Sequence, residues 1–134
     1  MNETSAKEWF IKAWHNLSTA KILYDADHYT DIIAVELHYS VEKSLKAFLA
    51  YENKKIPKTH DINEVYQLVK KYIILDDHID LLNKITQYHI REAYPTFDRI
   101  LPSKEEIKEA LDFTEKLFDK VCKILDVDKK EVMK

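Results

Sequence analysis

No glycine occurs anywhere in the 134 residues, and that absence limits the fold more than any other feature. A phosphate-cradling P-loop, a dinucleotide-binding glycine turn and a type I′ hairpin all need backbone at positive φ, where glycine sits without steric cost. None of them can be built in their usual form. Lys, Glu, Leu and Ile are abundant instead, a composition that favours helices joined by non-glycine turns. With 46% hydrophobic residues, the chain can bury a core as one helical domain.

Apolar residues recur at helical spacing in five places. Ser5 and Glu8 form a capping box ahead of a stripe of Phe10, Ala13, Trp14, Leu17, Ala20 and Tyr24. The DADHY segment, 25–29, reads as a turn. A longer helix from Thr30 to about Glu52 carries Ala34, Leu37, Val41, Leu45, Phe48 and Leu49. It is apolar on more than one face, which predicts a central position. Pro57 forces its neighbour out of helical geometry and opens a connection at 53–60. Asp61 with Glu64 starts a short helix through Val65, Leu68, Val69 and Tyr72.

The fourth helix is expected from about Asp76, with Ile79, Leu82, Ile85 and His89 on one face, fading at Ala93–Tyr94 before Pro95. Ser103 with Glu106 caps the last helix, whose stripe runs Ile107, Leu111, Thr114, Phe118, Val121 and Leu125. The polar tail, 126–134, should fray. The expected fold is all-α: an antiparallel up-and-down bundle of four main helices plus one short helix, its core spanning about residues 5–125.

A net charge of −3 gives no general basic field, so nucleic-acid contact must come from a local patch. The single cysteine, Cys122, excludes an intrachain disulfide and reads as inert packing. The N-terminus lacks the basic-then-apolar pattern of a secretion signal, and no apolar run approaches membrane-spanning length. The expected location is cytoplasmic.

Six histidines raise the question of a metal. None forms an HxxxH or HExxH pair and the nearby carboxylates show no ligand pattern, so no metal site and no cofactor is expected. His38, beside the core stripe of the second helix, reads as a hydrogen-bonded, semi-buried residue. In VEKSLKAFLAY, 41–51, Glu42 precedes Lys46 by four residues, the favourable order for a helical ion pair, with Lys43 alongside. These charges form either a solvated face or, given Tyr39 and Val35 on the same side, the wall of a cleft. In KTHDI, 58–62, Thr59 and His60 either stand at a helix N-terminus suited to an anion, or Asp61 caps that helix and His60 is exposed.

Both arginines of the chain, Arg91 and Arg99, fall within HIREAYPTFDR, 89–99. Arginine offers a rigid two-pronged donor that lysine does not. Arg91, at a helix end before Tyr94, is a candidate phosphate ligand, with Tyr94 as a stacking platform for a base. Arg99 is expected to pair with an acid or to lie at a partner interface.

Trp14, Asn16–Leu17 and Ala20, then VEKSLKAFL, KTHDI and finally AYP at 93–95 follow in an order that resembles the HEPN family. The likeness spans about residues 7–125. It implies a helical bundle that often dimerises and is often paired with a minimal nucleotidyltransferase, as in toxin–antitoxin modules. Many relatives are metal-independent ribonucleases built on an arginine followed four to six residues later by a histidine. Here the last histidine, His89, precedes Arg91, so that motif is absent.

The reading is thus a nucleotide- or RNA-binding module, homodimeric, working with a nucleotidyltransferase. Lys46, His60, Arg91 and Tyr94 are the candidate anion or nucleotide ligands, supported by Glu42, Lys43 and Thr59. The alternatives are a ribonuclease toxin using His60 or His89 as acid and base, and a non-catalytic protein-interaction module.

Overall fold

The computed structural model describes residues 1–93 and 101–133, with the backbone alone described at 91–93. Its elements are α1 (Glu3–Asp25), α2 (Thr30–Tyr51), α3 (Ile62–Val69), a single 3-10 turn (Asp76–His78), α4 (Ile79–Ala93), α5 (Lys104–Ile124) and α6 (Lys129–Val132). No strand occurs among the described residues, and no helix is long and apolar enough to cross a membrane. The all-α bundle expected from the stripes is what the chain forms.

α2 is its centre, touching α1, α3, α4 and α5. That position explains why α2 is apolar or small on nearly every side: Leu37, Val41, Leu45 and Phe48 are fully enclosed, and so are Ser40 and Ala47. Ser40 avoids an orphan hydroxyl by donating to the Ala13 carbonyl across the α1–α2 seam, at 2.9 Å. Phe10 meets Phe118 edge-on with ring centroids 5.9 Å apart, tying α1 to α5. Phe48 stacks on Tyr72 at 4.7 Å. Cys122 is buried, and burial pushes its thiol up to about 11, as suits an inert core residue.

Several local expectations change. α1 begins a turn early: Asn2, not Ser5, is the cap, its side chain accepting from the Ser5 amide at 3.0 Å. Asn2 also donates its backbone N–H to Tyr51 and its side-chain amide to Asn53, and the earlier start encloses Ala6. Asp61 and Ser103 cap α3 and α5 as expected. Their partner glutamates, however, do not close the boxes. Glu64 accepts from the Thr59 hydroxyl, which itself accepts from the Asp61 amide, and Glu106 accepts from Tyr88. The segment from Asp76 winds as the 3-10 turn before α4 proper begins. The tail does not simply fray: Asp128 caps α6 and Val132 packs into the core, with Lys7–Glu131 and Lys129–Asp119 ion pairs outside it.

Without glycine, three helices still end in the left-handed turn that glycine usually supplies. Asp27, Asn53 and Asp126 take φ of 59°, 57° and 53° after α1, α2 and α5. In each case the next amide reaches back to close the helix: His28 to Leu23, Lys54 to Leu49 and Val127 to Cys122. Asp and Asn tolerate this region better than other residues with a Cβ but still carry strain. Asp126→Gly should therefore stabilise the protein by about 0.5–1 kcal/mol. Urea denaturation checks this; an unchanged or lowered midpoint refutes it.

Candidate functional site

Glu42 stands at the middle of α2, is 4% exposed, and has both carboxylate oxygens engaged. Oε2 faces the Lys46 ammonium one turn on, at 3.3 Å. Oε1 faces His38 Nε2 one turn back, at 3.3 Å, and His60 Nδ1 from the α2–α3 connection, at 2.8 Å. Lys46 also donates to the Thr59 carbonyl at 3.0 Å, so one buried ammonium pins the connection to α2. That pin brings His60 over Glu42. Burial alone would raise the Glu42 carboxyl, but hydrogen bonds from His38 and His60 and the charge of Lys46 outweigh it and hold it down to about 2.

His38 is fully buried, and its Nδ1 lies 2.9 Å from the Ile85 carbonyl of α4. His89, one turn further along α4, stacks on both other rings: 5.0 Å from His38 and 4.2 Å from His60. Tyr39 closes the group edge-on, 5.7 Å from His89. Three imidazoles from α2, the connection and α4 thus form one stack with a carboxylate at its base. His60 is its open end, with its side chain 50% exposed. Lys43 stands beside it, its ammonium 5.3 Å from the Tyr39 ring centre and hydrogen-bonded to Asn16 of α1.

Of the residues singled out in the sequence, Glu42, Lys46, Thr59 and His60 are brought together, with Lys43 at their side. The α3 N-terminus is not an open anion site. Asp61 Oδ1 accepts from the Asn63 and Glu64 amides, and the Ile62 amide is met by the Thr86 hydroxyl. Lys46 is buried and committed to Glu42 and Thr59, which makes it a support of the site. The glutamate–lysine pair is therefore not a solvated face. Arg91 lies on α4, two residues and roughly 200° of helical rotation past His89. Its side chain, Tyr94 and Arg99 lie outside the described residues.

His38, read as a hydrogen-bonded, semi-buried residue, is hydrogen-bonded and fully buried. Neither it nor His89, named for the α4 stripe and the ribonuclease alternative, is among the candidate ligands read from the sequence. No two histidines pair on a helix; the helical pair is His38 with Glu42, an H-x-x-x-E spacing that puts both on one face. His38, Glu42 and His60 place their ligand atoms within 4.8 Å of one another, which the absence of histidine pairs had not led one to expect. His60 arrives from another element, and no local pattern reports that.

The HEPN domain family model matches residues 6–125. The crystal structure of TT1696 from Thermus thermophilus is similar over 92% of this chain and 99% of that chain, with a TM-score of 0.74 and 20% sequence identity. At that identity the likeness speaks to the fold alone. No curated protein sequence matches the chain. A family match over nearly the whole bundle, on the helices that assemble the His38–Glu42–His60–His89 stack, decides the question of kinship: the chain belongs to the HEPN family.

Proposed function

We propose that the protein is a nucleotide- or RNA-binding HEPN module. The observation that carries this reading is the ring stack, which ends at half-exposed His60 with Lys43 beside Tyr39. Flat rings next to a cation are what an unpaired base and its phosphate need, and the interaction tolerates any base. Glu42 and Lys46 hold the platform in place. Arg91, in the last turn of α4, and Tyr94 are offered as further contacts, and substitution of Arg91 tests the first of them. A weakened Arg91→Lys shows that the fork matters, because charge is kept, and an unchanged affinity for Arg91→Ala removes Arg91 from the site.

A labelled single-stranded oligoribonucleotide, titrated at low salt, should bind and be released as salt rises. His60→Ala should weaken binding about tenfold, in line with the roughly 1–3 kcal/mol that one stacked base contributes. The RNA should remain intact, since the family's arginine-then-histidine order is absent. No binding at tens of micromolar protein refutes the reading. The same stack supports one rival, because His60 hydrogen-bonded to a buried carboxylate has the arrangement of a general base. Cleavage abolished by His60→Ala would establish the ribonuclease.

We also take the module to be a two-fold homodimer that works beside a minimal nucleotidyltransferase, as the family resemblance implies. Trp9 and Ile11, with Lys12 and Lys43, line a groove of about 370 Å³ on α1 that supports such an interface. Light scattering on the samples used for the titration should give twice the 15.9 kDa chain mass. Monomer at tens of micromolar refutes the dimer. A nucleotidyltransferase gene next to this one is the expected sign of the partner.

A further inference from the structure

Hydrogen-bond roles at His38 are fixed by its surroundings. The Ile85 carbonyl can only accept, so His38 Nδ1, at 2.9 Å, must carry a hydrogen. In the neutral ring Nε2 then presents a lone pair, and it points at a carboxylate oxygen 3.3 Å away. Two acceptors facing each other in a buried place repel. A hydrogen on Nε2 removes that repulsion, and a metal ion in its place would do the same.

Everything around that gap is arranged as ligands of an ion are. The His38 Nδ1–H bond to a backbone carbonyl is the outer contact that orients metal-binding imidazoles. Lys46 fixes Glu42 from its far oxygen, leaving Oε1 turned toward His38 and His60. The Oε1 separations from the two ring nitrogens are 3.3 and 2.8 Å. A tetrahedral ion with bonds near 2.1 Å keeps neighbouring donors about 3.4 Å apart, and all three ligand atoms lie within 4.8 Å of one another, so the rings must turn to close on an ion. His60 is half-exposed, so it is the ligand through which such an ion would meet solvent.

We propose that His38 Nε2, Glu42 Oε1 and His60 Nδ1 form a binding site for one divalent transition ion. Two imidazoles and one carboxylate suit Zn²⁺ or Co²⁺ and not Mg²⁺ or Ca²⁺, which prefer all-oxygen shells. Binding needs both nitrogens free of hydrogen: any hydrogen on His38 Nε2 leaves to solvent, and one on His60 Nδ1 leaves or is replaced by one on its Nε2. The buried Lys46 charge nearby opposes a second positive centre and limits affinity. The site does not depend on the RNA-binding reading and would stand without it.

Chelator-treated full-length protein is titrated with Co²⁺ and with Zn²⁺, and heat and the visible cobalt spectrum are recorded. One equivalent should bind, with the absorption of a four- or five-coordinate Co²⁺ ion, and Mg²⁺ at tenfold excess should not displace it. His60→Ala should lower affinity at least about tenfold and abolish the spectrum. It alters a half-exposed side chain, so circular dichroism should confirm that its helix content is unchanged. His15→Ala, on the exposed side of α1, should bind as wild type does. No stoichiometric binding, or binding that His60→Ala leaves unchanged, overturns the proposal. RNA affinity measured on the same chelated protein tests the other reading separately, because failure of either assay leaves the other result standing.

Discussion

Glu42→Gln should cost about 3 kcal/mol of folding stability, a loss far above that of ordinary surface substitutions. The carboxylate is nearly inaccessible and faces Lys46, His38 and His60. Glutamine has almost the same volume, so packing survives and the loss is electrostatic. The Lys46 ammonium, itself 4% exposed, would lose the negative charge it faces and keep only neutral acceptors, the Thr59 carbonyl and the glutamine oxygen. An uncompensated buried charge is the expensive outcome. The melting midpoint should fall by roughly 10 °C, measured in chelator so that no ion contributes. Lys46→Met should cost less, because the histidines remain to face the carboxylate. The double substitution should cost clearly less than the two losses added, since the surviving partner is what suffers in each single variant. Strictly additive losses would mean that Glu42 and Lys46 do not act as a pair.

The ion pair itself was legible: glutamate four residues before lysine on a helix needs only the sequence. Its burial was not. A local pattern cannot tell which of several faces of α2 the other helices will cover, and α2 turned out to be covered on nearly all of them. The same limit explains the histidines. His38 and Glu42 share a face by spacing, but His60 comes from 18 residues further along the chain and His89 from α4. Long-range convergence leaves no periodic trace.

Helix existence was readable because each stripe buries its own residues, as Phe10, Leu45 and Phe118 do. Helix starts were less so, because several good capping residues compete within one turn. Asn2 prevailed over Ser5 through contacts with Tyr51 and Asn53, which lie at the far end of α2. The closing turns of α1, α2 and α5 show what the lack of glycine does and does not forbid. It rules out glycine-built phosphate loops, yet Asp and Asn still make the left-handed helix ends.

Tyr66→Phe is expected to cost about 2 kcal/mol, although it removes a single oxygen. Tyr66 has no exposed surface, and it escaped the reading of the α3 stripe. Its hydroxyl does two things at once. It accepts from the Leu75 amide at 2.6 Å and donates to Asp76 Oδ1 at 2.7 Å. Those bonds join α3 to the 3-10 turn from which α4 springs. Phenylalanine fills the same space but leaves the Leu75 N–H, beside a side chain only 5% exposed, without its acceptor. A buried donor with no partner loses its full hydration, and that loss dominates the cost. Asp76→Asn should do much less, because Asp76 is 56% exposed and the tyrosine hydroxyl can still donate to the amide oxygen. Urea denaturation measures both changes, and amide exchange at Leu75 should quicken in Tyr66→Phe alone. Equal losses in the two variants would mean that the Asp76 contact, and not the Leu75 amide, makes Tyr66 matter.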